Sequence, residues 1–223
     1  FKVNSTVFSR YLNWKFTRWN IWIFIIPIIF CVINLEKNDS FKNWLLLGLL
    51  LGLTGLSKYT AVLFIVPIVL YFIIKKRFDV FINPKIILSI LLAFTIVLPV
   101  IYWNIQTDWE SFTYQSNHVM GNSNIELQNL FLSLGGQFAT YNPLLFLIAF
   151  YGLYRAFKSS NDILLLSALF GSVLFLFFAY NSLYSRALPH WSALFYLLFI
   201  PIGSYYLYGK AKKYTLFSIL LGI

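Results

Sequence analysis

Acidic residues are scarce in this 223-residue chain, which has seven Asp and Glu, two His, one Cys and one Met. A single cysteine, Cys31, excludes a disulfide framework and a cysteine-based metal site within the chain. The Gly-rich nucleotide loops, hydrolase elbows and zinc-protease helices have no match, so a soluble nucleotide donor held on a Gly-rich loop is unsupported. There is no internal repeat and no stretch with the composition of a soluble domain. Charged residues make up 11% of the chain, hydrophobic ones 60% and aromatic ones 21%, with a mean hydropathy of +0.75. A water-soluble protein of this size cannot hide so much apolar surface. The class is all-α, a polytopic integral membrane protein.

The charge that is present is unevenly placed. Seventeen Lys and Arg give a formal net charge of +10. They fall in short clusters between apolar runs, where they set orientation and meet membrane lipid head groups rather than nucleic acid. The stretch from Pro99 to Asn142 shows the reverse: it holds Asp108, Glu110, His118 and Glu126 and neither Lys nor Arg. Acidic residues gathered in one aromatic-laced loop are expected to help roof an active site at the outer membrane surface.

In chain order, residues 1–20 carry Lys2, Arg10, Lys15 and Arg18 among aromatics and read as an interfacial amphipathic segment. Spans are expected at about 19–35, with Pro27 kinking it, and then from Trp44 to Ile74. One helix over that second run would be about 46 Å long, well beyond a hydrocarbon core of about 30 Å. Two segments, 44–57 and 60–74, turning at Lys58, are therefore expected, with Asp39 or Ser40 capping the first. Glycines 48, 52 and 55 give that segment a small-residue face for close helix packing. Further spans are expected at 86–103, 143–157, 163–181 and 191–208, with another beginning at 214. Leu127–Thr140 is apolar enough to rest on or dip into the membrane, and Asn142-Pro143 reads as a helix start.

Positive links at 75–85, 155–162 and 209–213 place those turns inside, and the loop at about 104–142 and the link 182–190 outside. The Lys58 turn then falls outside and 36–43 inside. Residues 1–20 fall outside too, where four basic residues run against the rule. The chain lacks an initiator Met and stops within an apolar run. It is expected to be a single transmembrane domain, 1–223, incomplete at both ends.

Three polar groups converge on the outer face in this topology. Ionisable groups at membrane depth are expensive and mark functional paths. Lys58, beside Tyr59, reads either as a snorkelling lysine that ends a helix or as a cation for a phosphate or a loop carboxylate. Arg186 and His190 fit the same phosphate-pairing role, or form an ordinary polar turn. Asp108, Trp109 and Glu110 suit sugar binding, since hydroxyls need acceptors and a pyranose face stacks on rings. Their alternative is a solvated loop balancing nearby cations. His118 by itself does not make a metal site.

GLLLGLTGLSKYTAVLFIVP (48–67) and LPVIYWNIQTDWESFTYQ (98–115) carry a resemblance. With SLYSRALPHWSALFYL (182–197), they resemble the bacterial members of the dolichyl-phosphate-mannose protein mannosyltransferase family, in the glycosyltransferase C superfamily, over about residues 40–210. The resemblance implies a multi-helix transmembrane enzyme in the cell membrane that takes a sugar from a polyprenyl-phosphate carrier. Transfer on the extracytoplasmic face, with inversion, is implied as well. The leaving group is a lipid phosphate, whose charge Lys58 and Arg186 would stabilise. The base would be an Asp of the family's first external loop, which has no counterpart here, so the catalytic residue is left unassigned. No cofactor is implied with certainty; a divalent metal is compatible. Two other classes stay open, a transporter or flippase of lipid-linked sugars and a membrane subunit without activity. A transporter would show paired inverted repeats, and the chain has one interrupted hairpin without a partner.

Overall fold

The computed structural model describes residues 22–57, 59–110, 113, 125–185 and 188–211. Every regular element among them is helical. The chain divides into two compact units, 1–111 and 112–223.

The first unit contains α1 (Trp22–Lys37), α2 (Phe41–Ser57), a 3-10 helix (Tyr59–Phe64), α3 (Ile65–Ile74), a second 3-10 helix (Phe78–Ile82) and α4 (Lys85–Gln106). The long apolar run is interrupted where expected: α2 ends at Ser57, and a 3-10 helix begins at Tyr59. α1 continues through Pro27 without a break and reaches Lys37, two residues past the expected end. Ser40 is the cap of α2, its Oγ accepting from Asn43 N at 3.3 Å. Asp39 serves another purpose, described below.

α2 lies against α4 with almost nothing between them. A Cβ on Gly48 would stand 2.6 Å from Ser89 O, and one on Gly52 would stand 2.9 Å from the Ile96 side chain and 3.1 Å from Ala93 Cα. A Cβ on Gly55 would stand 2.8 Å from Val97 Cγ2. The contacts advance together along both helices, so the two run parallel. The glycine face read from the sequence is the packing face. Backbones that close gain dispersion contacts which lipid tails cannot supply. Ser89 Oγ adds a buried hydrogen bond to Trp44 O.

Parallel neighbours need a return leg, here residues 59–74, and the links that lead into α2 and α4 meet. Lys85 Nζ lies 2.9 Å from Asp39 Oδ2, and Trp44 Nε1 donates to Asp39 Oδ1 at 2.6 Å. Arg77 Nη1 donates to Glu36 O at 3.1 Å, Lys75 pairs with Glu36 at 3.7 Å, and Tyr71 OH bonds the same carboxylate. The links 36–43 and 75–85 thus share one end of this unit, as two links on one side of a membrane must. The Lys85 ammonium first, then Trp44 and Asn83, hold the Asp39 carboxyl down to about 2 from an ordinary 3.8. A depressed carboxylate stabilises the fold above its ordinary value and loses that contribution as pH falls through the depressed one. Asp39→Asn in detergent is expected to lower stability by about 1 kcal/mol or less at neutral pH, since the pair is half exposed. Thermal melts of both proteins should draw together between pH 4 and pH 2. A gap that is independent of pH would refute the charge contribution.

The second unit contains α5 (Leu127–Thr140), α6 (Pro143–Phe157), α7 (Asp162–Asn181), a 3-10 helix (Pro189–Ser192) and α8 (Ala193–Ala211). Asn142 Oδ1 accepts from Leu144 N at 2.9 Å with Pro143 in the first turn, the helix start read from the sequence. Asn161 caps α7 in the same way, accepting from Ile163 N at 2.9 Å. The core is aromatic: Phe195 lies 4.6 Å from Phe175 and 4.9 Å from Phe150, with Phe199 fully buried beside it. α6 and α8 run parallel and touch backbone to backbone. A Cβ on Gly152 would stand 2.1 Å from Phe199 O, and one on Gly203 would stand 2.2 Å from Ile148 O.

α4, α7 and the stretch His190–Gly209 are long and apolar enough to cross a membrane. α4 is about 33 Å long at 1.5 Å per residue, matching a hydrocarbon core of about 30 Å. Its outer face, Ile87, Ile90, Leu91, Phe94 and Leu98, is exposed. α5 is turned inside out. Asn129, Ser133 and Gln137 are buried, while Leu127, Phe131 and Leu132 point outward, Phe131 with 69% of its surface exposed. That orientation suits a helix whose surroundings are apolar.

Candidate functional site

The residues singled out in the sequence lie in both units, and each unit holds its group at a helix end. In the first unit, Gly48 faces Ser89 and Gly55 faces Val97. By that register, Ser57 stands level with about residue 99. The rest of α4, through Gln106, extends about 10 Å further. The span therefore runs past Trp103, the end expected from the sequence, because Asn104 is buried rather than solvated.

The turn that ends α4 is strained. Trp109 N donates to Asn104 O at 2.8 Å, closing a six-residue loop, and Thr107 Oγ1 donates to Trp103 O at 3.0 Å. This closure puts Asp108 at φ +49° and Trp109 at φ +60°. Aspartate tolerates the left-handed region; an indole does so rarely, and each such residue costs on the order of 1–3 kcal/mol. Glu110 N is then fixed to Thr107 O at 3.0 Å. The outcome is that Asp108, Trp109 and Glu110 all stand exposed in one turn. An extended loop would scatter them; the strain keeps them together.

Asn104 was passed over in the sequence, although it closes the PVIYWN stretch. It is fully buried, and its Nδ2 donates to Val100 O at 2.8 Å. Its Oδ1 is buried and has no hydrogen-bond partner among the described residues. An amide on an apolar helix was the available signal. Tyr59 opens the 3-10 helix that follows α2. Lys58 lies outside the described residues, as do His118, residues 1–20 and the run from 214.

In the second unit, His190 is exposed on the 3-10 helix Pro189–Ser192. That short helix is anchored from below. Gln137 Oε1 accepts from Ser192 Oγ at 2.7 Å and from Tyr196 OH at 2.9 Å, and Tyr141 stacks on Tyr196 at 4.0 Å. The inward polar stripe of α5 is thus what seats the turn that carries His190. Beside it, Asn181 is buried, and its Nδ2 has no partner among the described residues. Arg186, expected to act with His190, lies outside the described residues. No group of three His, Cys, Asp or Glu among the described residues could hold a metal ion.

The polar groups at these helix ends can accept hydroxyls and stack a sugar ring in one unit and offer an imidazole in the other. Residues 7–103 match the family model described as dolichyl-phosphate-mannose-protein mannosyltransferase. That match includes Ser57-Lys58-Tyr59 and ends at Trp103, before Asp108. Over 143 residues, 62% of this chain, the sequence is 28% identical to the lipid A galacturonosyltransferase RgtD of Rhizobium johnstonii. The aligned stretch spans 29% of that relative's length. No solved structure matches. Over residues 7–103, then, the chain matches the dolichyl-phosphate-mannose-protein mannosyltransferase family, the one its motifs resemble.

Proposed function

We propose that the chain is part of a multi-pass membrane glycosyltransferase that moves a sugar from a polyprenyl-phosphate carrier to an acceptor on the extracytoplasmic face. The family match over residues 7–103 carries this reading. The relative's task, a sugar transfer to lipid A, supports it, and so does the turn presenting Asp108, Trp109 and Glu110.

In the proposed reaction an acceptor hydroxyl oxygen attacks the anomeric carbon from the face opposite the carrier. The bond from that carbon to the phosphate oxygen breaks, its electron pair stays with the phosphate, and the configuration inverts. The hydroxyl proton passes to a carboxylate base, to which no residue here is assigned. In this reading Lys58, Arg186 and His190 are the groups that stabilise the charge developing on the phosphate. Asp108 and Glu110 accept sugar hydroxyls, and the Trp109 ring covers a C–H face.

The test is a transfer assay on the purified full-length protein with a panel of polyprenyl-phosphate sugars, reading release of carrier phosphate. One active donor would establish the class. Lys58→Ala is expected to cut that rate by a factor of 100 or more, the range for removing one group that stabilises transition-state charge. Membrane insertion should be retained. Unchanged transfer by the variant would remove Lys58 from the phosphate site. Well-folded protein that is silent with every donor would favour a carrier of lipid-linked sugars.

A further inference from the structure

The parallel packing of α6 and α8 brings their last turns together, at the end of α8 away from His190. Arg155 sits there on α6, and its guanidinium carbon lies 4.2 Å above the Tyr206 ring centroid. Arg155, Tyr205, Tyr206, Tyr208 and Gly209 line an open pocket of about 370 Å³. The Arg155 Nε is buried and has no hydrogen-bond partner among the described residues. Tyr205 and Tyr208 stand at its mouth, 74% and 61% exposed. Lys158 caps the end of α6 three residues after Arg155, and Lys210, Lys212 and Lys213 follow Gly209 in sequence.

Each part has a physical role. A guanidinium held over a tyrosine ring is restrained by the cation–π contact, and its planar fork can grip two phosphate oxygens at once. Tyrosines at a helix end mark the level of lipid head groups in a membrane. A lysine-rich stretch of sequence raises the local concentration of anions. A pocket of this volume accommodates a phosphate with its glycerol, and an apolar ligand would leave the Nε proton unsatisfied. Nothing in the proposed transfer uses this end of the unit, which the charge pattern places on the side opposite the reaction.

We propose that this pocket binds the phosphate of an anionic phospholipid, with Arg155 as the clamp and the tyrosines as its wall. The phosphate could also come from solution, so the experiment separates the two sources. Full-length protein would be transferred to mixed micelles carrying phosphatidylglycerol or phosphatidylcholine, and bound lipid counted by native mass spectrometry. Arg155→Gln is expected to weaken phosphatidylglycerol retention about tenfold and to leave phosphatidylcholine retention unchanged. Arg155→Lys, which keeps the charge and loses the fork, should fall between them. Equal retention by the parent and Arg155→Gln would overturn the proposal. Displacement of the lipid by millimolar inorganic phosphate would overturn the lipid source and leave a soluble-phosphate site. A second readout keeps Arg155 intact, in case its replacement unfolds the protein. A polarity-sensitive dye on Tyr208→Cys should shift with phosphatidylglycerol and not with phosphatidylcholine, the buried Cys31 being shielded from the label. An identical response to both lipids would also count against the site.

Discussion

Asp108→Asn in the full-length protein is expected to lose transfer activity by about 10- to 100-fold while melting at the parent's temperature. The magnitude is that of hydrogen bonds to a charged group, about 1.5–3 kcal/mol, lost in the transition state. Stability should hold because asparagine tolerates the left-handed backbone at φ +49° as well as aspartate does. Asp108→Gly extends the test. Glycine relaxes the strained turn, so this variant should be as stable as the parent and still slow. Asp108→Ala would mix the two effects, since alanine resists that conformation. Kinetics and melting on the three variants therefore separate a carboxylate that binds from one that only ends a helix. Full activity in Asp108→Gly would assign the residue to the turn alone.

Gly152→Leu is expected to destroy the second unit. Even a Cβ at this position would lie 2.1 Å from Phe199 O and 2.8 Å from Gly203 N, both backbone atoms that cannot rotate away. Gly152→Ala should already cost about 1–3 kcal/mol, and the larger side chain should leave no folded protein after detergent extraction. Gly135 supplies the control, since a Cβ there meets nothing within 4 Å. Gly135→Ala on α5 should be neutral or stabilise by up to about 1 kcal/mol from helix propensity. Size-exclusion profiles and thermal melts would read both. Parent-like behaviour of Gly152→Leu would mean that α6 and α8 pair on other faces.

The helices were legible because apolar length and basic links are one-dimensional signals. The break after Ser57 followed from bilayer thickness, and the glycine face of α2 from spacing alone. The glycines that matter most in the second unit, Gly152 and Gly203, have no such spacing; each is single on its helix face, and its partner is about 50 residues away. Asn104 and Gln137 were missed for a related reason. A buried amide shows its role only through what lies across from it, and for Gln137 that is Ser192 and Tyr196 on another element. The α5 helix was read as apolar, and its inward polar stripe depends on neighbours which the pattern does not name. Asp108, Trp109 and Glu110 were picked out by composition. The strained turn that gathers them came from the backbone, and composition carries no trace of φ.

The glycine seam between α2 and α4 sets a timetable for the nascent chain. Gly48 cannot meet Ser89 until the 41 residues after it, through Ser89 itself, have been made. At about 5–20 residues per second that takes roughly 2–8 s. For those seconds the seam of α2 lacks its α4 partner. Slowing translation between Gly55 and Ser89 would prolong that exposure, and synonymous rare codons placed there should lower the yield of folded protein without changing a single residue.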